Sequence, residues 1–84
     1  MKYKFSSKLE EVVIITPDVH HDYRGEYVET WNIDNYSIFD HLVNDNKPII
    51  FKQDDISTSL KHTLRGLHGD SETWKLVSCV YGSL

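Results

Sequence analysis

Five histidines, His20, His21, His41, His62 and His68, are the side chains here that titrate near neutral pH and can move a proton or ligate a metal. Their spacing opposes a metal centre, because neither HxH, HExxH nor CxxC occurs. His20 and His21 are adjacent, so an extended backbone would send them to opposite faces. His41 sits beside Asp40 in a helical pattern and His62 precedes a strand pattern, and both read as surface residues. His68 has a different setting. The run Thr63-Leu64-Arg65-Gly66-Leu67-His68-Gly69-Asp70 combines a guanidinium, an imidazole and two glycines that let backbone or ligand approach closely. The same run also suits a half-buried histidine at a strand end. Strict alternation puts Arg65 and His68 on opposite faces unless Gly66 bulges the strand.

Other chemistries have less support. Cys79 lies in an apolar pattern and reads as a small buried thiol rather than a nucleophile. No GxSxG elbow and no Gly-rich phosphate loop is present. Glu26 and Glu29, or Asp54 and Asp55, could pair as glycosidase carboxylates, but acidic pairs on strands are ordinarily solvated. The two arginines, Arg24 and Arg65, each stand directly before a glycine.

These residues need elements to position them. Val12 to Ile15 is a β-branched run that predicts a buried strand. Thr16 to Gly25 reads as a turn-rich loop. Glu26 to Trp31 alternates, with Tyr27, Glu29 and Trp31 on one face. Tyr36, Phe39, Leu42 and Val43 recur at helical spacing, predicting a helix over 34–43 with Asp34 as its cap. After Pro48 the β pattern returns in three segments, Ile49 to Ser59, His62 to His68 and Thr73 to Tyr81. In the first, Gln53, Asp55 and Ser57 share a face that is either solvated or lines a wet pocket. The fold class is mostly β, a sandwich or small barrel with one short helix.

Eighty-four residues fit one small domain, whose core is marginal at this size. Ten aromatics among 39% apolar residues argue against disorder. A net charge of −4 without a basic cluster disfavours nucleic acid as a partner. No apolar run is long enough to span a membrane, and no apolar stretch follows the early lysines as a signal peptide requires. The single cysteine cannot form an internal disulfide, which makes the cytoplasm the expected compartment.

Four motifs carry a resemblance. Asp22 to Glu29, DYRGEYVE, is similar to the DxRGxFxE segment of the dTDP-4-dehydrorhamnose 3,5-epimerase family. Gln53 to Ser59 resembles that family's QDNxSxS strand, and Leu64 to His68 matches its LRGLH signature. Lys75-Leu76-Val77 followed by Gly82 matches its KLV strand and glycine. The resemblance implies a cupin-type β jelly roll without metal or cofactor, a homodimer, and a nucleotide-linked 4-keto sugar, dTDP or GDP, bound inside the barrel. It implies His68 as the base that removes a proton beside the ketone and Lys75 as the donor to the enolate oxygen. Arg24 and Arg65 would grip the diphosphate or sugar, and Glu29, Gln53 and Asp55 would hold base or sugar hydroxyls.

The chain also departs from that pattern. Asp55 stands where the family has Asn, and Glu26 where it has an aromatic. The run from His68 to Gly82 looks closer to a branch acting on GDP-linked 4-keto-heptoses in surface polysaccharide pathways, such as those of capsule and lipopolysaccharide. Family members are considerably longer. Their opposing tyrosine acid and the aspartate that orients the base have no match here. Residues 1–84 therefore read as the N-terminal part of a cupin-like epimerase domain, expected to be inactive alone. The other readings are an inactive truncated remnant or sugar-nucleotide-binding fragment, and a cupin ketoisomerase.

Overall fold

The structure, a computed structural model, describes residues 1–83, which fall into two compact units, Met1–Ile49 and residues 50–83. All the regular secondary structure of the described residues lies in the first.

Strand β1 (Lys2–Phe5) pairs antiparallel with β2 (Val13–Thr16), Tyr3 opposite Ile15 and Phe5 opposite Val13. The β-branched run forms a strand, one residue later than expected and half-buried on alternate residues rather than buried, because only one face of a two-stranded ribbon is covered; β1 was not anticipated, although Lys2 and Lys4 alternate with Tyr3 and Phe5. The connection is held locally. Ser6 Oγ accepts from the amides of Lys8 (3.2 Å) and Leu9 (3.1 Å), and the Ser6 amide donates to the Val12 carbonyl at 2.8 Å.

Strand β3 (Val19–Asp22) pairs antiparallel with β4 (Gly25–Val28). The expected loop over 16–25 is thus partly strand, because a two-residue turn at Tyr23 and Arg24 lets the segment fold back on its successor. The Asp22 carboxylate closes that turn by accepting the Arg24 amide at 2.8 Å. Gly25 then takes a φ of +134°, which a side chain would resist. The strand predicted over 26–31 stops at Val28, whose partner Val19 begins β3, so Glu29 and Trp31 lie beyond the ladder.

Helix α1 spans Ile38–Val43, shorter than the spacing predicts, and residues 33–37 form turns that lead into it. The residue that starts this run is Asn32, not Asp34. Asn32 Oδ1 accepts the amides of Asp34 (3.0 Å) and Asn35 (3.1 Å), the two donors that a capping side chain serves. At the far end Asp40 takes over. Its carbonyl accepts from Asn44 (3.2 Å) and Asn46 (2.9 Å), and its Oδ1 accepts the Ile49 amide at 2.9 Å.

Phe39 is the one buried side chain among the described residues, 7% exposed. Its ring meets Tyr3 edge-on at 5.5 Å and Tyr36 at 5.6 Å, so it fastens the helix to the β1–β2 ribbon.

The three strands predicted between Ile49 and Tyr81 do not form among the described residues. Their alternation is real, but a strand exists only where its N–H and C=O groups meet a neighbour's. None pairs here, and Ile56, Leu60, Leu64 and Leu67 are largely solvent-exposed. Local turns provide the order that remains, with the Thr63 amide on the Leu60 carbonyl at 3.1 Å and the Glu72 amide on Asp70 Oδ1 at 2.9 Å. Cys79 is accordingly exposed rather than a buried thiol. No helix among the described residues is long and apolar enough to cross a membrane.

Replacing Phe39 by Ala removes the one buried ring among the described residues, at a cost of about 3 kcal/mol or more. A unit this small has little more than that in reserve. Phe39→Ala is expected to collapse the dispersed methyl and ring signals of residues 1–49 in an NMR spectrum, while Phe39→Leu keeps them. Retained dispersion in the alanine variant would show that the ring is not what joins helix to ribbon.

Candidate functional site

In the first unit the candidate residues sit at either end of the β3–β4 hairpin and just beyond it. Arg24 occupies the turn, largely exposed. Its Nε (3.1 Å) and Nη2 (2.6 Å) both donate to Asp22 Oδ2, and its guanidinium lies 5.7 Å from the Tyr23 ring centroid. Those bonds, the guanidinium's first and the Arg24 amide's second, hold the Asp22 carboxyl below its ordinary value. Two of the guanidinium's N–H groups are thus engaged, and the remaining donors stay available to an anion.

Glu29 follows β4 and is held by two amides. Asn35 Nδ2 donates to its Oε1 at 2.9 Å and Asn32 Nδ2 to its Oε2 at 3.4 Å. Beside it the Tyr36 hydroxyl donates to the Thr30 carbonyl at 3.1 Å. Burial, and then the Glu29 charge, push the Tyr36 phenol above its usual value. Glu29, Asn35 and Tyr36 line a groove of about 470 Å³ with Met1, Pro17, Asp18, His20 and Tyr27. His20 and Tyr27 reach it as cross-strand partners in the hairpin register. At its rim the Met1 ammonium donates to Asp18 Oδ2 at 2.6 Å, which lowers the Asp18 carboxyl.

In residues 50–83 the structure brings some candidates together and leaves others apart. Gln53 Nε2 donates to Asp55 Oδ2 at 2.9 Å, so the polar face predicted from alternation survives as a local pair. Arg65 is tied to Ser59 Oγ (2.9 Å) through Nε and to the Thr58 carbonyl (3.1 Å) through Nη2, which links the two motifs that contain them. His68 and Lys75 are exposed, and no hydrogen bond joins either to Arg65, Gln53 or Asp55 among the described residues. Asp70 is lowered by the Thr73 hydroxyl and then by backbone amides, with a smaller contribution from the Lys75 charge. No group of three or more His, Cys, Asp or Glu among the described residues is placed to hold a metal.

Sequence reasoning found Glu29 but missed what surrounds it. Asn32, Asn35 and Tyr36 were read as part of a helix or left unassigned. An Asn just after a strand, with Asp34 and Asn35 two and three residues on, is the capping signal that would have found the turn.

The profile described as dTDP-4-dehydrorhamnose 3,5-epimerase matches residues 6–84. Curated relatives of that name include one from Escherichia coli, 38% identical over 81 residues, covering 93% of this chain and 41% of the relative. One from Salmonella typhimurium is 33% identical over 87 residues, covering all of this chain and 45% of the relative. One from Shigella flexneri is 36% identical over 81 residues, covering 93% and 42%. The chain spans under half the length of these curated relatives. No solved structure matches significantly.

The Asp22–Arg24 contact has a pH signature. Because the folded carboxyl lies below its ordinary 3.8, its contribution to the turn is complete above that value and is lost as pH falls through the lowered one. A carboxyl-carbon NMR titration is expected to show the Asp22 midpoint rising toward 3.8 in Arg24→Ala. An unchanged midpoint would mean that the guanidinium does not hold this carboxylate.

Proposed function

This chain belongs to the dTDP-4-dehydrorhamnose 3,5-epimerase family, and from that membership we propose that it is the base-bearing portion of a nucleotide-sugar 3,5-epimerase. The observation that carries the proposal is the match over residues 6–84, which takes in every one of the four motifs. The substrate is a 4-keto-6-deoxy sugar nucleotide, with dTDP as the favoured nucleotide because the relatives are named for it.

The chemistry suits the residue types. Protons at C3 and C5 are acidified because the carbanion left behind delocalises onto the C4 ketone oxygen. A neutral imidazole, with an ordinary pKa of about 6.5, can accept such a proton at cellular pH. His68 takes that role, and its exposed ring has no hydrogen bond that would occupy the basic nitrogen among the described residues. Lys75 donates to the developing enolate oxygen, where a positive charge is worth most. Return of a proton to the opposite face of the carbon inverts it and regenerates the ketone. Arg24 and Arg65 present unused guanidinium donors to diphosphate or sugar oxygens. Glu29, Gln53 and Asp55 accept from or donate to base and sugar groups.

The acid that returns the proton and the carboxylate that orients His68 are supplied by the part of the relatives' length that the match leaves out. The working protein is a homodimer in the cytoplasm, and its product serves surface polysaccharide synthesis.

The test is solvent exchange. Fused to the unmatched remainder of the Escherichia coli relative, the chain is expected to wash deuterium from D2O into C3 or C5 of a dTDP-linked 4-keto-6-deoxy sugar, read by NMR. The 84-residue chain alone gives no exchange above background. His68→Ala lowers exchange in the fusion by about 10²-fold or more, the usual worth of a general base. A GDP-linked substrate run in parallel decides the nucleotide. No exchange by the folded fusion with His68 intact would remove the epimerase assignment.

A further inference from the structure

Glu29 is held in a way that a solvated surface carboxylate does not need. Two neutral amides reach it, Asn35 Nδ2 at 2.9 Å on Oε1 and Asn32 Nδ2 at 3.4 Å on Oε2. Both come from the turn that precedes α1, while Glu29 itself leaves the end of β4. Asn32 is in turn fixed at its other end, its Oδ1 accepting the amides of Asp34 and Asn35. The same backbone that the Asn32 side chain caps therefore carries the Asn35 side chain back to the carboxylate. A carboxylate has about four lone-pair positions across its two oxygens, and these bonds use two. The remaining acceptor positions belong to a group that lines a groove of about 470 Å³ with Tyr27 and Tyr36.

The choice of amides matters. An arginine or lysine in place of Asn35 would orient Glu29 but would also neutralise it and compete for its lone pairs. An amide orients it and leaves the full negative charge. That charge is felt locally, since it contributes to raising the Tyr36 phenol.

We propose that Asn35, braced by Asn32, is a positioning residue that holds the Glu29 carboxylate as a ready acceptor for a donor group of the nucleotide-sugar ligand. This rests on the ligand-binding role of Glu29 proposed above and goes beyond it. Asn35 acts through Glu29 and need not touch the ligand. Its backbone amide is held by Asn32 Oδ1 whatever its side chain, and the residue is exposed, so truncating the side chain leaves the turn intact.

Two measurements on the intact chain test this. The first follows the Asn35 side-chain amide resonances while pH is lowered to protonate Glu29. They are expected to shift with that protonation and to lose the response in Glu29→Gln. Asn35 resonances indifferent to Glu29 would overturn the clamp itself. The second titrates dTDP, and GDP in parallel, against the Tyr27 and Tyr36 ring signals. Asn35→Ala is expected to weaken the better-bound nucleotide about fivefold, the worth of one positioned hydrogen bond, with the melting temperature unchanged. Asn35→Asp, which sets a like charge beside Glu29, weakens it at least as much, and Asn35→Gln restores part of the affinity. Equal affinity in Asn35→Ala would overturn the positioning role. If neither nucleotide moves the ring signals of the unaltered chain, the binding role of Glu29 fails, and the amide titration still decides the clamp separately.

Discussion

A backbone N–H or C=O that leaves water must find a partner, and in a β-rich chain the partner is usually another strand. That constraint sorts this molecule. Where two strand-forming runs are joined by a short connection, each satisfies the other, and β1–β2 and β3–β4 result. Where a run has no neighbour to close upon, alternation alone produces no ladder. The segment from Ile50 onward keeps its hydrophobic spacing yet leaves Leu64 and Leu67 almost wholly exposed. Pairing, rather than propensity, decides which parts of this sequence become structure.

What the sequence made legible follows the same line. The strand read over Val12 to Ile15 was legible from its β-branching, and it forms one residue later, over Val13–Thr16, half-buried on alternate residues rather than buried. The helix was readable from Tyr36, Phe39, Leu42 and Val43, and Phe39 is indeed the buried ring. The helix starts at Ile38 rather than after Asp34, because turns occupy residues 33–37, and the residue that opens those turns was misplaced because Asp34 and Asn32 are both capping residue types. Only geometry shows that Asn32 Oδ1 takes the two leading amides while Asp34 contributes its carbonyl to Ser37. The hairpin at 19–28 was hidden because Tyr23-Arg24 is not a recognised two-residue turn pair; the closing bond comes from the Asp22 side chain. For the candidate site, residue identities were legible through the motifs, whereas the amides that orient Glu29 were not, since no spacing rule links position 29 to position 35.

The two arginines show how a guanidinium can be directed by its neighbours. Arg24 is held by the carboxylate two residues before it, and Arg65 by Ser59 and the Thr58 carbonyl. Neither contact is buried, so each is a fixture of direction more than of stability. An anionic oxygen can add to the unused N–H groups of either fork without displacing the first partner. Arg65 is better placed for an anion, because its partners are neutral oxygens. Arg24 already shares its charge with Asp22, so an incoming phosphate meets a partly neutralised cation and a nearby negative group.

His68 poses the sharper problem. A general base must present one ring nitrogen in a known tautomer, which ordinarily requires a carboxylate or carbonyl on the other nitrogen. The nearest acidic residue in sequence, Asp70, accepts instead from the Thr73 hydroxyl and from the Glu72 and Thr73 amides, which hold its carboxyl below the ordinary value. Asp55 accepts from Gln53 instead. Neither Asp55 nor Asp70 is hydrogen-bonded to the His68 ring among the described residues, which leaves the imidazole without a carboxylate from either. For the role of base proposed for His68, this setting lacks the partner that would fix the tautomer.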